Sequence, residues 1–332
     1  MLCAMGEFDL IARYFTRPAA RAALGVGDDC ALLQPAPGTQ LAISSDMLVE
    51  GRHFFADVDP FTLGHKALAV NLSDLAACGA KPLAFTLALA LPRVDEAWLA
   101  AFSKGLLALA DAHGCELVGG DTTQGPLNIC ITVFGEVPVL NGKSQALLRS
   151  GAKAGDDLYV SGTLGDARLA LDALRGTVSL QPGLLAQARR RLEQPTPRVA
   201  LGQALRGIAS AAIDVSDGLI GDLQHILRAS SAGATLETAL AAHLVAASAH
   251  PDWPGTGIGA EKQLEFALAG GDDYELAFTA PVSARDAVLA AARQAQTPVS
   301  RIGRIDAATG LRLLDAAGAP LLRHYASFDH FA

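Results

Sequence analysis

The sequence has little of what marks several large protein classes. Its 332 residues are only 5% aromatic and 18% charged, and its longest apolar stretch, residues 83–91, is too short to span a bilayer. Its five cysteines include no C-x-x-C pair, and an odd number of such residues fits reduced cysteines in a cytoplasmic protein. Glu7 and Asp9 precede the first apolar run, which is not typical of a signal peptide. The net charge of −8 argues against nucleic acid, so we expect neither a nucleic-acid nor a membrane partner.

What the chain does have is enough length and apolar content for two globular domains. Half of its residues, 51%, are hydrophobic, and a Gly- and Pro-containing connection covers residues 138–156. We therefore predict an N-terminal domain over 1–148 and a C-terminal domain over 149–332.

Acidic residues recur in short motifs that also contain glycine or serine. If these carboxylates converged without counter-ions they would repel one another, so their convergence would require divalent metal. Magnesium prefers such oxygen ligands and keeps waters that meet substrate phosphates. The nine acids are Asp28, Asp29, Asp46, Asp74, Asp121, Asp214, Asp217, Asp272 and Asp273.

The stretch 59–82 contains the most informative of these acids. Asp59 and Pro60 are typical of a helix start, and Gly79 is typical of a left-handed cap at its end. The helix between them is apolar on all sides, which predicts burial, yet Asp74 lies on its apolar stripe. A buried carboxylate needs a partner or a proton, so we interpret Asp74 as a metal ligand in preference to a solvated or capping carboxylate.

Three further motifs place oxygen ligands beside predicted strands. A strand over 41–43 is followed by Ser44, Ser45 and Asp46, and a short strand from 115 is followed by a Gly pair and Asp121. In the second half, a strand delivers Asp214, and a turn with Ser216 and Asp217 opens an amphipathic helix, whose N-terminus attracts anions.

Basic residues indicate a binding site less clearly than the acidic motifs do. Arg149 has a guanidinium fork that could clamp a phosphate, whereas the arginines at 189–191 are more typical of a solvated helix face. His53 follows Gly51 and Arg52 and could meet an anion, although a lone histidine is more often a surface or core residue. No G-x-x-x-x-G-K-[ST] motif exists, because Val137 stands where the first glycine should be, so any nucleotide phosphates must be held by metals and arginine.

Seven motifs in order, GVGDDCALL, SSDMLVEGRHF, KALAVNLSDLAACGAKP, GGDTTQGP, RSGAKAGD, IDVSDGL and GGDDYEL, resemble the thiamine-monophosphate kinase family over nearly the whole chain. The resemblance implies an α/β (α+β) protein with the two-domain aminoimidazole-ribonucleotide synthetase-like fold. It also implies a homodimer in which strands of the N-terminal domains form a barrel. The expected reaction is transfer of the γ-phosphoryl group of ATP to thiamine monophosphate, directly and without a phosphoenzyme.

The resemblance also implies roles for individual residues. ATP would be contacted by Gly120, Asp121, Arg149 and Ser216, and the thiamine phosphate by His53. Several Mg²⁺ ions would be held by Asp29, Ser44, Ser45, Asp46, Asp74, Asp121, Asp214 and Asp217.

Two substrate-contacting positions depart from the family pattern. Asp272 stands where glutamate is common, and Phe328 stands where a larger polar aromatic residue is common. Both departures leave the reaction intact and concern the details of the thiamine pocket. We expect no general base, because the accepting phosphate oxygen is already anionic at neutral pH.

Four other functions compete with this interpretation. Within the same superfamily, aminoimidazole-ribonucleotide synthetase is the nearest alternative, whereas selenophosphate synthetase would need a reactive cysteine in a Gly-rich N-terminal loop. A catalytically silent nucleotide-binding protein should have lost some of the acids. A metal-dependent phosphatase should have a hydroxyl residue in the segment Asp57-Val58-Asp59-Pro60.

Overall fold

The computed structural model describes residues 6–323, 325 and 328. The chain divides into two compact units. The first contains the residues up to Leu75 together with Ala80–Ser144, and the second contains Ala76–Gly79 and the chain from Gln145 onward. Our domain boundaries at 148 and 149 stay a prediction. Over the described ranges, no helix is both long and apolar enough to cross a membrane.

The first unit is built on a mixed sheet in the order β3-β6-β4-β5, with β7 paired to β6. Pairing is antiparallel except between β4 and β5, and a small separate hairpin joins β1 and β2. Its elements in chain order are α1 (Glu7–Tyr14), β1 (Ala22–Leu24), β2 (Leu32–Leu33), β3 (Thr39–Val49), α2 (Pro60–Ala77), β4 (Lys81–Leu91), α3 (Glu96–His113), β5 (Glu116–Gln124), β6 (Asn128–Leu140) and β7 (Lys143–Ser144).

Helix α2 forms where the sequence predicts it. Asp59 accepts a hydrogen bond from the backbone N–H of Thr62 at 3.0 Å, and Gly79 has a φ of 66° beyond the last turn. The helix crosses α3 at very short range, because a Cβ on Gly64 would lie 2.1 Å from the Phe102 carbonyl oxygen. Close packing of this kind explains why the helix is apolar on nearly all sides.

The second unit is a six-stranded sheet in the order β13-β10-β12-β8-β11-β9, antiparallel except between β10 and β13. Short 3-10 turns lie at Ala246–Ala249, Trp253–Thr256 and Val282–Ala284. The elements are β8 (Asp157–Ser161), α4 (Asp166–Leu174), α5 (Pro182–Glu193), α6 (Val199–Ala204), β9 (Ala211–Val215), α7 (Leu219–Ser230), β10 (Gly233–Glu237), α8 (Thr238–Ala242), α9 (Ala260–Ala269), β11 (Glu275–Ala280), α10 (Arg285–Gln294), β12 (Val299–Asp306) and β13 (Gly310–Leu314).

One hydrophobic core cluster of the second unit is formed between this sheet and α7. Leu219, Leu223 and Ile226 recur at helical spacing, are fully buried, and pack in one cluster with strand residues such as Ile213 and Leu236. Because α7 is fixed along its length by this packing, its first turn is a rigid base for the loop that precedes it.

Candidate active site

Three candidate residues of the first unit come together between β3 and α2. The Ser44 hydroxyl donates a hydrogen bond to the Asp74 carboxylate, and Asp46 lies two residues further along the same strand. Alternation along a strand puts Ser44 and Asp46 on one face, the face that α2 covers. The result is a group of oxygen ligands on a rigid helix and strand.

Asn71 belongs to this site, although sequence reasoning missed it. It is fully buried, its Nδ2 donates to the Ala67 carbonyl at 3.0 Å, and its Oδ1 accepts from the Asp46 backbone N–H at 3.1 Å. The two bonds fix the orientation of the amide and the position of Asp46 relative to α2. A polar residue on the buried face of an apolar helix was the available signal, the same one that identified Asp74.

Ser45 and Asp121 are on the other face of the sheet. Ser45 is paired with Thr132, and their hydroxyl oxygens are 3.0 Å apart. Asp121 is paired with Ala88, which is in turn paired with Cys130, and residues paired in this way share a face. The structure therefore brings Ser44, Asp46 and Asp74 together and separates Ser45 and Asp121 from them.

Two strand assignments from the sequence were wrong. Ser44 to Asp46 do not follow a strand, because β3 runs through them and pairs with β6 from Thr39 to Val49. Gly120 and Asp121 likewise lie inside β5, whose pairing with β4 continues to Gln124. Gly120 has a φ of 151°, and a Cβ there would be 1.8 Å from the Leu87 carbonyl oxygen, so the close strand approach requires glycine.

The other first-unit candidates lie in loops. Asp29 is exposed between β1 and β2, and its backbone N–H donates to the Asp28 carboxylate at 2.9 Å. His53 is half-buried in the turn after β3, where its Nδ1 accepts from the Val49 backbone N–H at 2.9 Å. Because Nδ1 is an acceptor, the neutral ring carries its proton on Nε2.

In the second unit, the turn between β9 and α7 meets the segment before β11. Ser216 accepts at its carbonyl from the Asp272 backbone N–H at 2.8 Å, and Asp217 accepts from the Phe328 backbone N–H at 3.1 Å. Asp214, at the end of β9, is buried. The structure thus brings together the predicted ATP contact Ser216 and the predicted metal ligand Asp217. The predicted substrate residues Asp272 and Phe328 lie against the same turn.

The segment 271–274 has a strained backbone. Gly271, Asp272 and Tyr274 all have positive φ values, at 72°, 60° and 52°, and the Tyr274 hydroxyl lies 3.3 Å from Asp272 Oδ1. Aspartate tolerates this region better than most residues, and such conformations persist where the surroundings fix them, often at functional sites. The positive φ at Asp272 is the second-unit feature that most resembles a functional constraint.

Asp273, the second acid of the same motif, does not belong to the site. Its carboxylate is buried and accepts from the Gly165 backbone N–H at 2.9 and 3.1 Å, and burial raises its pKa well above the ordinary value. Arg191 donates to the Asp273 carbonyl and pairs at 2.7 Å with Glu275, which also pairs with Arg198. The prediction that the arginines at 189–191 form a solvated face is therefore wrong for Arg191.

Asp222, in the first turn of α7, is the second functional candidate that the sequence did not identify. It is buried, and its Oδ2 accepts from the backbone N–H groups of Ser216 and Asp217 at 3.0 Å each. Burial raises the pKa of Asp222 to about 7, and repulsion by the Asp217 carboxylate acts in the same direction. An acid four residues after Gly218 was visible in the sequence as an ordinary first-turn residue.

Arg149 is exposed, with its carbonyl accepting from Ser230 Oγ at 3.2 Å. Burial lowers the pKa of His225 on α7, and the charges of Arg149 and Arg228 lower it further. Arg149 therefore contributes positive potential beside α7.

The donors present suit Mg²⁺ chemically. They are carboxylates and hydroxyls, and Mg²⁺ is usually bound by one or two carboxylates together with waters and substrate phosphates. No group of three or more His, Cys, Asp or Glu side chains that could hold a metal is present in the described parts of the chain.

Both halves of the chain match models of AIR synthase related proteins. Residues 27–137 match the N-terminal domain and residues 153–315 match the C-terminal domain. The fold and its oxygen-rich loops thus define a two-domain protein of the AIR synthase related class.

Comparison with related sequences identifies one family within this class. The chain is 46% identical to thiamine-monophosphate kinase of Escherichia coli (strain K12) over 334 residues, 99% of each chain, and 32% identical to that of Bacillus subtilis (strain 168) over 98% and 100%. It belongs to the thiamine-monophosphate kinase family.

Solved structures of similar fold agree with this family membership. The crystal structure of thiamine-monophosphate kinase from Stenotrophomonas maltophilia K279a is 44% identical, with a TM-score of 0.80 over 92% of this chain and 94% of that one. The complex of AaThiL with AMPPCP and TMP is 26% identical, with a TM-score of 0.76 over 90% and 89%. Escherichia coli HypE, a hydrogenase maturation protein, shares the fold at 23% identity and a TM-score of 0.74.

Proposed function

We propose that this chain is a phosphotransferase that transfers the γ-phosphoryl group of ATP to thiamine monophosphate, giving thiamine diphosphate and ADP. The observation that carries the proposal is the full-length similarity to thiamine-monophosphate kinases, at up to 47% identity among the relatives compared. The AaThiL complex with AMPPCP and TMP, an ATP analogue and the proposed acceptor, supports the same pair of substrates.

We propose that several Mg²⁺ ions take part, held by the oxygen ligands that the sequence predicts. Magnesium would neutralise the two polyanions and align an in-line transfer. Support is strongest for Asp46 and Asp74, which lie with Ser44 beside α2, and for Asp217, which lies in the α7 turn with Ser216. It is weakest for the Ser45 hydroxyl, which is bonded on the opposite face of β3. The full proposed set remains Asp29, Ser44, Ser45, Asp46, Asp74, Asp121, Asp214 and Asp217.

We assign the substrate contacts as the sequence predicts them. Gly120, Asp121, Arg149 and Ser216 would contact ATP, with the Arg149 fork as a clamp for phosphate. His53 would donate from Nε2 to the acceptor phosphate, because its Nδ1 is occupied by Val49. Asp272 and Phe328 would contact the thiamine moiety, and no residue needs to remove a proton from the anionic acceptor oxygen.

We also propose that the protein is a homodimer. Strand β3 is an edge of its sheet, and it exposes Leu41, Ile43 and Met47 on the open face. Long apolar edge strands of this kind are normally covered. A monomeric mass by light scattering at micromolar concentration would overturn this part of the proposal.

A coupled assay of ADP release tests the activity. We expect ADP release with ATP, Mg²⁺ and thiamine monophosphate, and none with formylglycinamidine ribonucleotide, the substrate of the alternative synthetase. Chelation of divalent cations should abolish the signal. Turnover with formylglycinamidine ribonucleotide alone would instead assign the chain to the synthetase reaction.

A further inference from the structure

The turn 216–218 has nearly all of its backbone polar groups already engaged. Its N–H groups at Ser216 and Asp217 donate to Asp222, and its carbonyls at the same residues accept from Asp272 and Phe328. The Gly218 carbonyl accepts the first helical hydrogen bond of α7 from Asp222 N–H at 3.1 Å. A ligand therefore finds few backbone groups available here.

This arrangement is unusual for a helix that begins beside a phosphate-binding candidate. Helix N-termini commonly bind phosphate through free backbone N–H groups. At α7, the side chain of Asp222 instead turns back from the first helical turn and accepts, through the single oxygen Oδ2, from the N–H groups of Ser216 and Asp217, which precede the helix. The carboxylate thus holds the backbone of the turn that leads into α7.

We propose that Asp222 is a positioning residue that fixes the turn 216–218 ahead of α7. The turn then contacts ligands through the Ser216 and Asp217 side chains, and the nucleotide phosphates reach it through a cation bound by Asp217. The inference rests on the proposed function in one respect, that the ligand is a metal-bound nucleotide.

The burial and bonding of Asp222 favour positioning over ligation. The residue is 5% exposed, and the oxygen that would face the turn already accepts two hydrogen bonds. A group used in this way needs an acceptor oxygen, whereas a metal ligand at Asp217 needs a charge. Asparagine therefore distinguishes the two roles, since its Oδ1 can replace Asp222 Oδ2 while carrying no charge.

The second unit supplies a matched control in Asp166. This carboxylate is 1% exposed and accepts from the backbone N–H groups of Ala246 and Ala247 at 3.1 and 2.7 Å. It has the same chemistry as Asp222 but fixes a different loop. Loss of Asp166 should affect folding without changing a ligand of the proposed site.

The experiment measures binding of AMPPCP in the presence of Mg²⁺ by isothermal titration calorimetry, together with melting temperature, for the full-length protein. We expect Asp222→Asn to bind within about threefold of wild type, and Asp222→Ala to lose about tenfold or more, because two backbone N–H groups lose their acceptor. Asp217→Asn should lose binding, and Asp166→Asn and Asp166→Ala should retain it.

Two results would overturn the proposal. Asp222→Ala could bind like wild type while melting as early as Asp166→Ala, which would make Asp222 purely structural. If Asp222→Ala does not fold, the AMPPCP affinity of Asp222→Asn tests the proposal instead. A loss of affinity as large as that of Asp217→Asn would mean that Asp222 acts through its charge. Failure of wild-type protein to phosphorylate thiamine monophosphate is a separate result, because nucleotide binding is measured without turnover.

Discussion

Replacing Asp74 with asparagine tests the proposed metal site while hardly changing its shape. The Asp74 carboxylate is half-buried and accepts a hydrogen bond from Ser44. Asparagine keeps an oxygen in nearly the same place, so the bond survives as a neutral one. What disappears is the negative charge available to a cation.

The effects on folding and on chemistry should differ greatly in size. Exchanging a charge-assisted hydrogen bond for a neutral one costs about 1 kcal/mol, and burying an amide in place of a carboxylate offsets part of it. For a domain of this size, about 1 kcal/mol lowers the melting temperature by roughly 2–4 °C. Loss of a group that stabilises transition-state charge should lower kcat by about a hundredfold or more.

The assay is ADP release over a series of Mg²⁺ concentrations, with melting followed by circular dichroism. The control is Asp156→Asn, because the Asp156 carboxylate also accepts from a serine hydroxyl, Ser210 Oγ at 2.6 Å, but belongs to no proposed site. We expect both variants to fold and only Asp74→Asn to lose turnover. Turnover close to wild type at saturating Mg²⁺ would refute the metal role of Asp74.

Four further predictions follow from single contacts. His53→Asn keeps an acceptor for Val49 and removes the Nε2 donor, so kcat/KM for thiamine monophosphate should fall about ten- to a hundredfold with nucleotide affinity unchanged; weaker nucleotide binding instead would place His53 at the other substrate. Mg²⁺ with AMPPCP at about 100 times its Kd should stabilise the fold by about 2.7 kcal/mol, and an indifferent melting temperature would show that the acids do not converge on metal. Gly120→Ala should yield little folded protein, because its Cβ would lie 1.8 Å from a carbonyl oxygen of β4; normal expression and melting would contradict the strand register. The hydrogen bond from Arg285 lowers the pKa of Asp157, so this carboxylate contributes stability above the ordinary pKa near 3.8 and loses it as pH falls through the lowered value. The urea midpoints of Asp157→Asn and wild type should therefore converge in acid, and a constant difference between them would contradict this role.

The helix carrying Asp74 was predictable because its signals are local. Asp59, Pro60 and Gly79 mark the ends, and the apolar spacing marks the burial, all within one stretch of sequence. The same periodicity singled out Asp74 as a polar group on an apolar face. The family resemblance, which rests on short motifs, was likewise readable without a structure, and the comparisons confirm it.

The strand errors have a different physical origin. Strand β3 includes Ser44, Ser45 and Asp46 because β6 supplies hydrogen-bond partners along its whole length. The partners of these three residues lie 85 to 89 positions away in sequence (133 − 44 = 89, 131 − 46 = 85). Judged from neighbouring residues alone, three consecutive polar residues are more typical of a loop than of a strand. Because the faces of a strand alternate, the same error concealed that Ser45 points away from Ser44 and Asp46.

The motif GGDDYEL shows why neighbouring acids cannot be assigned together. Asp272 has a left-handed backbone and contacts the turn 216–218, whereas Asp273 is buried against Gly165 and belongs to a network with Arg191. The positive φ at Asp272 turns the two side chains into different surroundings. The sequence contains the two carboxylates but not the backbone angle that separates them.

Asn71 and Asp222, the two residues that sequence reasoning missed, have the same structural role, one in each unit. Asn71 on α2 accepts from the backbone N–H of Asp46, and Asp222 on α7 accepts from those of Ser216 and Asp217. In each case a buried polar side chain on a packed helix fixes the backbone that carries proposed ligand residues. Proposed ligands on a strand and in a turn are thereby held as firmly as the helices themselves, which is what alignment of two repelling polyanions for in-line transfer requires. Such residues act through the backbone of their neighbours, so a search for reactive groups passes over them, whereas a search for buried polar side chains finds them.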